Sequence, residues 1–174
     1  MQIKAQKLNP QAILPKNGSR LAAGYDVYAC LSEDTVIQPG ETKLIPTGFA
    51  FQPPEGFYFA VVARSGLAVK QGLRLANCYA VCDEDYRGEY FVPLYNDSTE
   101  PRTIKHGDRI AQLLLKRYYT CEFELVDKLD DTERGSGGFG STGISIASEV
   151  ETKLGDNEKI VEGNKKLVVP YKNA

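Results

Sequence analysis

The sequence predicts an all-β sandwich or barrel that carries one short helix. Three observations predict it. The apolar and aromatic residues fall in short runs, most of them too brief to build a stable helix. Turn-forming pairs punctuate the chain at short intervals: Asn17-Gly18, Pro39-Gly40, Pro53-Pro54, Asn96-Asp97 and His106-Gly107;. The runs themselves are rich in β-branched and aromatic residues, which suit a pleated, half-buried surface. Strands of this length at this spacing read as a sandwich or barrel.

Taken in order, Thr42-Lys43-Leu44-Ile45 and Gly56-Phe57-Tyr58-Phe59-Ala60-Val61-Val62 are strands bounded by Pro and Gly;. Next comes the one helix. Ser65 would cap a turn running from Gly66 to Gln71, with Gly72 closing it as a C′ residue;. This would set first-turn N–H groups beside Arg64 and Ser65, an arrangement suited to anions. Glu89-Tyr90-Phe91-Val92 and Leu94-Tyr95 are strands separated by Pro93, which lacks an N–H and so implies an edge or a bulge;. Ile110 to Leu115 is apolar enough for a helix, but its length of six and its neighbours favour a buried strand;. After Gly143 the texture changes. Residues 144–174 mix five acids with five bases, and their apolar residues are scattered except for Leu167-Val168-Val169, which Pro170 ends. This is a tail, free or docked through that run.

The length of 174 residues suffices for one domain with a sizeable core, and 42% apolar with 25% charged residues is ordinary for a soluble protein;. A net charge of −2 excludes a surface built to coat nucleic acid, though not one that binds free nucleotides with a few local cations;. The segment after Met1 has no apolar core of the secretory type, and no run is long enough to span a membrane;. Cys30, Cys78, Cys82 and Cys121 lack metal or disulfide spacing, and the single histidine, His106, is remote from them. Reduced thiols in an intracellular setting are expected: the cytoplasm, or the nucleus or a virus-infected host cell.

The chemistry-bearing signal is strongest at Arg134-Gly135-Ser136-Gly137-Gly138-Phe139-Gly140-Ser141-Thr142-Gly143. Such a run has almost no apolar volume for a core, and its five glycines disfavour a regular element;. Glycine-rich backbone can curl its N–H groups around an anion. Arg134 adds a planar fork for phosphate, and Phe139 a face on which a base can stack. Three other stretches accompany it. Arg64-Ser65-Gly66-Leu67-Ala68 offers a cation and a hydroxyl at the helix start. Asp83-Glu84-Asp85-Tyr86-Arg87-Gly88-Glu89 gathers four carboxylates in a turn, where one could serve as a general base;. Gln112 interrupts an apolar strand and must find polar partners.

With Ala23-Gly24-Tyr25-Asp26-Val27-Tyr28-Ala29 and Gly107-Asp108-Arg109-Ile110-Ala111-Gln112-Leu113, these stretches make five motifs. Together and in this order they resemble the motifs of the trimeric deoxyuridine triphosphatase (dUTPase) family, over roughly residues 20–143. The resemblance implies a distorted jelly-roll, β-barrel-like sandwich that is homotrimeric with shared active sites. It divides the chain into a β-rich core (1–131), a mobile glycine-rich arm that closes the site (132–143) and a C-terminal extension of unassigned role (144–174). It implies hydrolysis of dUTP to dUMP and pyrophosphate by in-line attack of water on the α-phosphorus, which limits uracil in DNA and supplies dUMP for thymidylate synthesis. Asp83 would orient and deprotonate that water. Arg64, Ser65 and Gly66 would hold the phosphates, with Ser65 near the α–β bridge, and Gln112 would bond phosphate or the water. Asn77, Val81 and Cys82 would form the hairpin that pairs with uracil through backbone groups. Tyr86 would lie under the deoxyribose, with Phe91 a further pocket-lining position. Arg134 and the Ser141-Thr142 pair would close over the γ-phosphate while Phe139 caps the base, with Gly140 a further substrate-binding position of the arm. Mg²⁺ would be held mainly by the triphosphate and waters, with Asp26 ordering the site around it indirectly. Neither nucleic acid nor membrane is required.

The chain departs from the family pattern at Ala63, where Pro is usual, and at Cys78-Tyr79-Ala80, where Ala80 replaces a Gly of the uracil hairpin. A methyl or aromatic group there could narrow or tilt the pocket. Two other readings are weighed. A deoxycytidine triphosphate deaminase shares the fold but usually carries Arg-Ser-Ser and Glu where this chain has Arg64-Ser65-Gly66 and Asp83. A nucleotide-binding regulator would act on a protein partner through residues 144–174.

Overall fold

The computed structural model describes residues 1–138. Twelve strands and one helix form within them. In chain order they are β1 (Lys4–Lys7), β2 (Lys16–Asn17), β3 (Tyr25–Tyr28), β4 (Thr35–Ile37), β5 (Thr42–Pro46), β6 (Phe49–Gln52) and β7 (Phe57–Val62). There follow α1 (Ser65–Gln71), β8 (Leu73–Leu75), β9 (Tyr79–Cys82), β10 (Phe91–Asn96), β11 (Arg102–Ile104) and β12 (Arg109–Arg117). The predicted all-β class with a single short helix is what the chain builds. The chain divides into two compact units, Met1–Glu122 and the residues from Phe123 on. All strands belong to the first. The described part of the second contains turns only, among them one at Thr132–Gly135.

Every paired strand is antiparallel. The largest sheet has the order β2-β3-β12-β7-β9, a second has β5-β10-β8, and two-stranded ribbons join β1 to β6 and β4 to β11. Strand β12 is the centre of the large sheet. It pairs Gln112 with Asp26 of β3 on one side and with Val62 of β7 on the other. This is the stretch from Ile110 to Leu115 whose composition also allowed a helix, and burial of Ile110, Ala111 and Leu113 fixes it as a strand. The core gathers Val27, Ile37, Ile45, Leu73, Leu75, Val92, Leu94 and Ile104, with Phe49, Phe51, Phe59 and Tyr90 stacked beside them at ring separations of 5.0 to 6.3 Å.

Two local expectations are corrected. The N-cap of α1 is Arg64 in extended conformation, with no side-chain cap, so Ser65 is the first helical residue rather than the cap. Gly72 does end the helix at φ +65°, and its N–H returns to the carbonyls of Ala68 and Leu67. Pro93 interrupts nothing: Phe91–Asn96 is one continuous strand in the middle of its sheet, while Glu89 and Tyr90 precede it. The Pro93 carbonyl accepts from Ala76 N–H at 2.8 Å, just past the end of β8. The missing N–H points to that same side, where the β8 ladder has already ended, and the ladder to β5 is unharmed.

The strand β10 alternates, with Val92, Leu94 and Asn96 inward. Asn96 is fully buried and satisfied. Its amide donates to the carbonyls of Ile37 (2.9 Å) and Glu100 (2.8 Å), and its Oδ1 accepts from the N–H and hydroxyl of Ser98. It thereby ties the three-stranded sheet to β4. Asn96→Ala should cost about 2–4 kcal/mol, because the buried Ile37 carbonyl loses its donor and the turn through Ser98 and Glu100 loses its tie to the sheet;. A urea titration checks it; an unchanged midpoint would contradict this assignment.

Candidate active site

Strand β3 carries Asp26 inward from its centre. Only 4% of this residue is exposed, yet it bears a charge, so its oxygens must be matched by donors;. Three are supplied. Oδ1 accepts from Arg64 Nε and Gln112 Nε2, both at 3.2 Å, and Oδ2 accepts from Arg109 Nη1 at 3.2 Å. A second Arg64 nitrogen donates to the Arg109 carbonyl at 3.0 Å. One carboxylate thus fixes two guanidinium groups and one amide, and the cluster keeps one excess positive charge for an anion. The approach is close. A Cβ added at Gly24 would stand 3.3 Å from a Leu114 methyl carbon and 3.4 Å from Gln112, so glycine lets the Gln112 side chain lie down beside β3. Arg64 leaves β7 directly into α1, whose exposed Ser65 and Gly66 follow it. Space around Gly66 is open.

Arg109 received no role from the sequence. A register shift between Arg109 and Ala111 re-aims its side chain at Asp26;. The available signal was a cation three residues before Gln112 on the same strand, but only the bulge brings both to one carboxylate.

Asp83 follows β9, the edge strand of the large sheet. Among the described residues β9 pairs only with β7, so its other edge keeps unpaired backbone groups of the kind that can read a base;. Tyr86 N–H closes a turn onto the Asp83 carbonyl at 3.2 Å, Arg87 binds the carbonyls of Glu84 and Tyr86, and the Tyr86 hydroxyl donates to the Glu89 carbonyl at 3.0 Å. A cleft of about 540 Å³ opens here, lined by Tyr58, Val81, Asp83, Glu84, Asp85 and Tyr118. The Tyr118 hydroxyl and Gly56 N–H both donate to Glu84 and hold its carboxyl below the usual range. Cys82 turns the other way, against the core, and burial pushes its thiol up to about 11. Any part it plays in base recognition must come from its backbone. Asn77 is exposed in the β8–β9 turn, where Cys78 adopts φ +60°. That conformation suits glycine or asparagine better than a β-carbon-bearing thiol.

The expected site residues therefore form two groups within one chain. Gln112 and Asp26 lie level with Val62, which pairs with Tyr79 at the start of β9, whereas Cys82 at its end pairs with Phe59. Asp83 lies four residues beyond Tyr79, about 13 Å along the strand. The chain brings Asp26, Arg64, Arg109 and Gln112 together but not Asp83 with them. Phe91 joins neither group: it starts β10, opposite Pro46 in the three-stranded sheet, and 44% of it is exposed. Arg134, in the second unit, donates to the Gly137 carbonyl at 2.7 Å. Phe139, Gly140, Ser141 and Thr142 lie outside the described residues, as does the extension 144–174. No group of three or more His, Cys, Asp or Glu side chains arranged to hold a metal occurs among the described residues.

Comparison with known proteins follows the same outline. The family profile described as dUTPase matches residues 10–143. A deoxyuridine 5'-triphosphate nucleotidohydrolase of Leptospira interrogans is 45% identical over 144 residues, covering 82% of this chain and 99% of that relative. Another, from Desulfotalea psychrophila, is 50% identical over 131 residues, covering 75% and 87%. Among solved structures, a mutant dUTPase of Staphylococcus bacteriophage 80alpha with dUpNHpp matches with a TM-score of 0.76 at 26% identity, covering 82% of this chain and 99% of that one.

The raised Cys82 thiol has a consequence for stability. Folding lifts its pKa from 9.0 to about 11, so the native state keeps a proton that the unfolded chain loses in between. The resulting stabilisation is complete below pH 9.0 and is lost as pH rises toward 11;. Tyr90, raised by its own burial, adds a slope of the same sign. Denaturation midpoints measured across this interval should fall less steeply for Cys82→Ala than for the parent chain; parallel curves would contradict the assignment.

Proposed function

The chain belongs to the dUTPase family, and from that membership we propose that the two groups of residues described above are the halves of a dUTP-hydrolysing site. The activity is conversion of dUTP to dUMP and pyrophosphate. The observation that carries the residue assignment is the cationic cluster fixed by Asp26, on the same sheet as an edge-strand carboxylate that it cannot reach within one chain.

The chemistry follows from these groups. Pyrophosphate cleavage needs alignment and charge neutralisation more than covalent catalysis. Arg64, held by Asp26 through Nε, keeps N–H donors for the triphosphate. Ser65 and Gly66 add a hydroxyl and a backbone that a phosphate can approach closely;. Gln112 gives one amide hydrogen to Asp26, which orients its Oε1 as an acceptor for the attacking water and leaves a second N–H for phosphate;. Asp83 accepts the proton of that water as its oxygen bonds to the α-phosphorus and the bond to the bridging oxygen breaks. Asn77, Val81 and Cys82 face the base through their backbone, and Tyr86 supports the sugar. Arg134, Phe139, Gly140, Ser141 and Thr142 close the site, a role that rests on their motif.

Mg²⁺ fits as an ion that travels with the substrate. The one buried carboxylate near the phosphate donors, Asp26, is already matched by three donors, and the ion favours its own waters and phosphate oxygens;. It would neutralise charge on the triphosphate.

A homotrimer with shared sites accounts for the separation of Asp83 from Gln112. Apolar surface left open in the single chain supports assembly: Leu44 and Phe91 on the three-stranded sheet, and Tyr119, Phe123 and Leu125 beyond β12, the last two 93% and 99% exposed;. Four unpaired thiols suit a reducing, intracellular location;. Residues 144–174 remain candidates for a protein partner.

Pyrophosphate release measured for each deoxynucleoside triphosphate, with and without Mg²⁺, should show a strong preference for dUTP. Asp83→Asn should keep binding but lose about 10²–10⁴-fold in turnover, since an amide cannot take the proton. Near-normal turnover would remove Asp83 from this role.

Sharing of sites between chains has its own test. Chains carrying Asp83→Asn and chains carrying Arg64→Ala, each inactive alone, should recover activity when denatured together and refolded. Random mixing places an intact Asp83 opposite an intact Arg64 in about a quarter of sites. Sites built within single chains would recover nothing.

A further inference from the structure

Strand β9 lies between the proposed base-facing hairpin and Asp83, yet among the described residues only the β7 ladder pairs with it. An edge strand of four residues should fray, and loss of its register would move both functions at once. Side chains secure both ends. At the first, the Tyr79 and Tyr58 hydroxyls meet at 2.7 Å. At the second, three segments close on one another. The Tyr118 hydroxyl and Gly56 N–H each donate to Glu84 Oε2 at 2.7 Å, and Tyr118 N–H donates back to the Gly56 carbonyl at 3.1 Å. The Tyr58 and Tyr118 rings then meet edge to face, with centroids 6.4 Å apart, and join the two ends across the cleft. The line from Tyr79 to Glu84 spans the whole of β9 and passes over Val81 and Asp83 without using either.

We propose that Tyr58, Tyr79, Tyr118 and Glu84 form a clamp whose role is to position Asp83 at one end and the base-facing hairpin at the other. All four are positioning residues. The proposal rests on the assignment of Asp83 as the base. Glu84 is adjacent to Asp83 in the chain and is itself engaged by two donors, so it braces the turn and leaves Asp83 free to meet water. Tyr79 stands among the residues where this chain departs from its family's pattern, and its hydroxyl gives that departure a partner.

The two ends give separable signals. Displacement of a catalytic group by about 1 Å can cost up to about 100-fold in rate. Tyr118→Phe removes a single oxygen from an exposed ring and should lower kcat for dUTP about tenfold, with KM within about twofold of the parent. Glu84→Gln keeps an oxygen acceptor for Gly56 and Tyr118 and should retain most of the rate, whereas Glu84→Ala should match Tyr118→Phe. The double variant Tyr118→Phe/Glu84→Ala should be no worse than either single one. Tyr79→Phe should instead raise KM and reduce the preference for dUTP over dTTP and dCTP.

All measurements use the full chain, with the active fraction taken from its melting curve. A merely structural role would lower the active fraction and leave kcat, KM and base preference of the folded protein unchanged; that result overturns the clamp. Asp83→Asn is measured alongside. If it is inactive while Tyr118→Phe equals the parent, the clamp alone fails. If Asp83→Asn is active, the assignment of the base fails and the clamp on it fails too.

Discussion

The buried carboxylate of Asp26 is the constraint on which the cationic cluster, and with it the proposed phosphate site, depends. An ionised group this deep is tolerated only if donors surround it. Those three donors come from two places distant in sequence from Asp26 and from each other: Arg64 just past the end of β7, and β12, which supplies Arg109 at its bulge and Gln112 three residues on. The strand order β3-β12-β7 is what brings them to a single point. Gly24 completes the arrangement by letting β12 side chains approach closely. Function gains from the same pairing. Arginine is long and its rotamer entropy is costly to lose, but a buried carboxylate holds Arg64 in place before any anion arrives.

The other half solves a different problem. In the proposed site the base is read by backbone groups, and an edge strand has backbone groups to spare. The edge is also where a sheet is weakest. Here that weakness is met by tyrosine side chains on the strand's cleft-facing side and by bonds within the loop after Asp83, where Arg87 and Tyr86 each bind carbonyls of their own loop. The core-facing residues Ala80 and Cys82 contribute burial instead. The alternation of the strand thus divides its labour. One face packs on the core, the other carries the tyrosine contacts along the cleft, and the open edge is left for the proposed recognition of the base.

Much of the architecture was legible in the sequence. The turn pairs and the short β-branched runs gave the all-β class, and Gly72 marked the end of α1 correctly. What stayed hidden was set by pairing rather than by local preference. Pro93 reads as a strand breaker until β8 is seen to stop beside it. Ser65 has the chemistry of an N-cap, but the chain leaves β7 so directly that Arg64 takes the position and spends its side chain on Asp26. Arg109 was unreadable because a strand's period of two gives no warning of a bulge;. Among the expected site residues, Arg64 and Gln112 both meet Asp26, while Phe91 lies in a different sheet.

The distance between Asp83 and Gln112 shows why a sequence motif and a folded site need not coincide. Five motifs in one chain look like parts of one pocket, but antiparallel pairing fixes Asp83 level with the far end of β7 from Gln112. No rotamer spans about 13 Å of strand, so the chain cannot complete the site by side-chain motion. Bending the sheet would break the ladder that buries Ala60, Val61, Ala111 and Leu113. The proposed assembly with a second copy would leave that core intact and cover apolar surface that the single chain exposes. If the two groups are halves of one site as proposed, association with another chain would unite them at less cost than deforming a packed sheet.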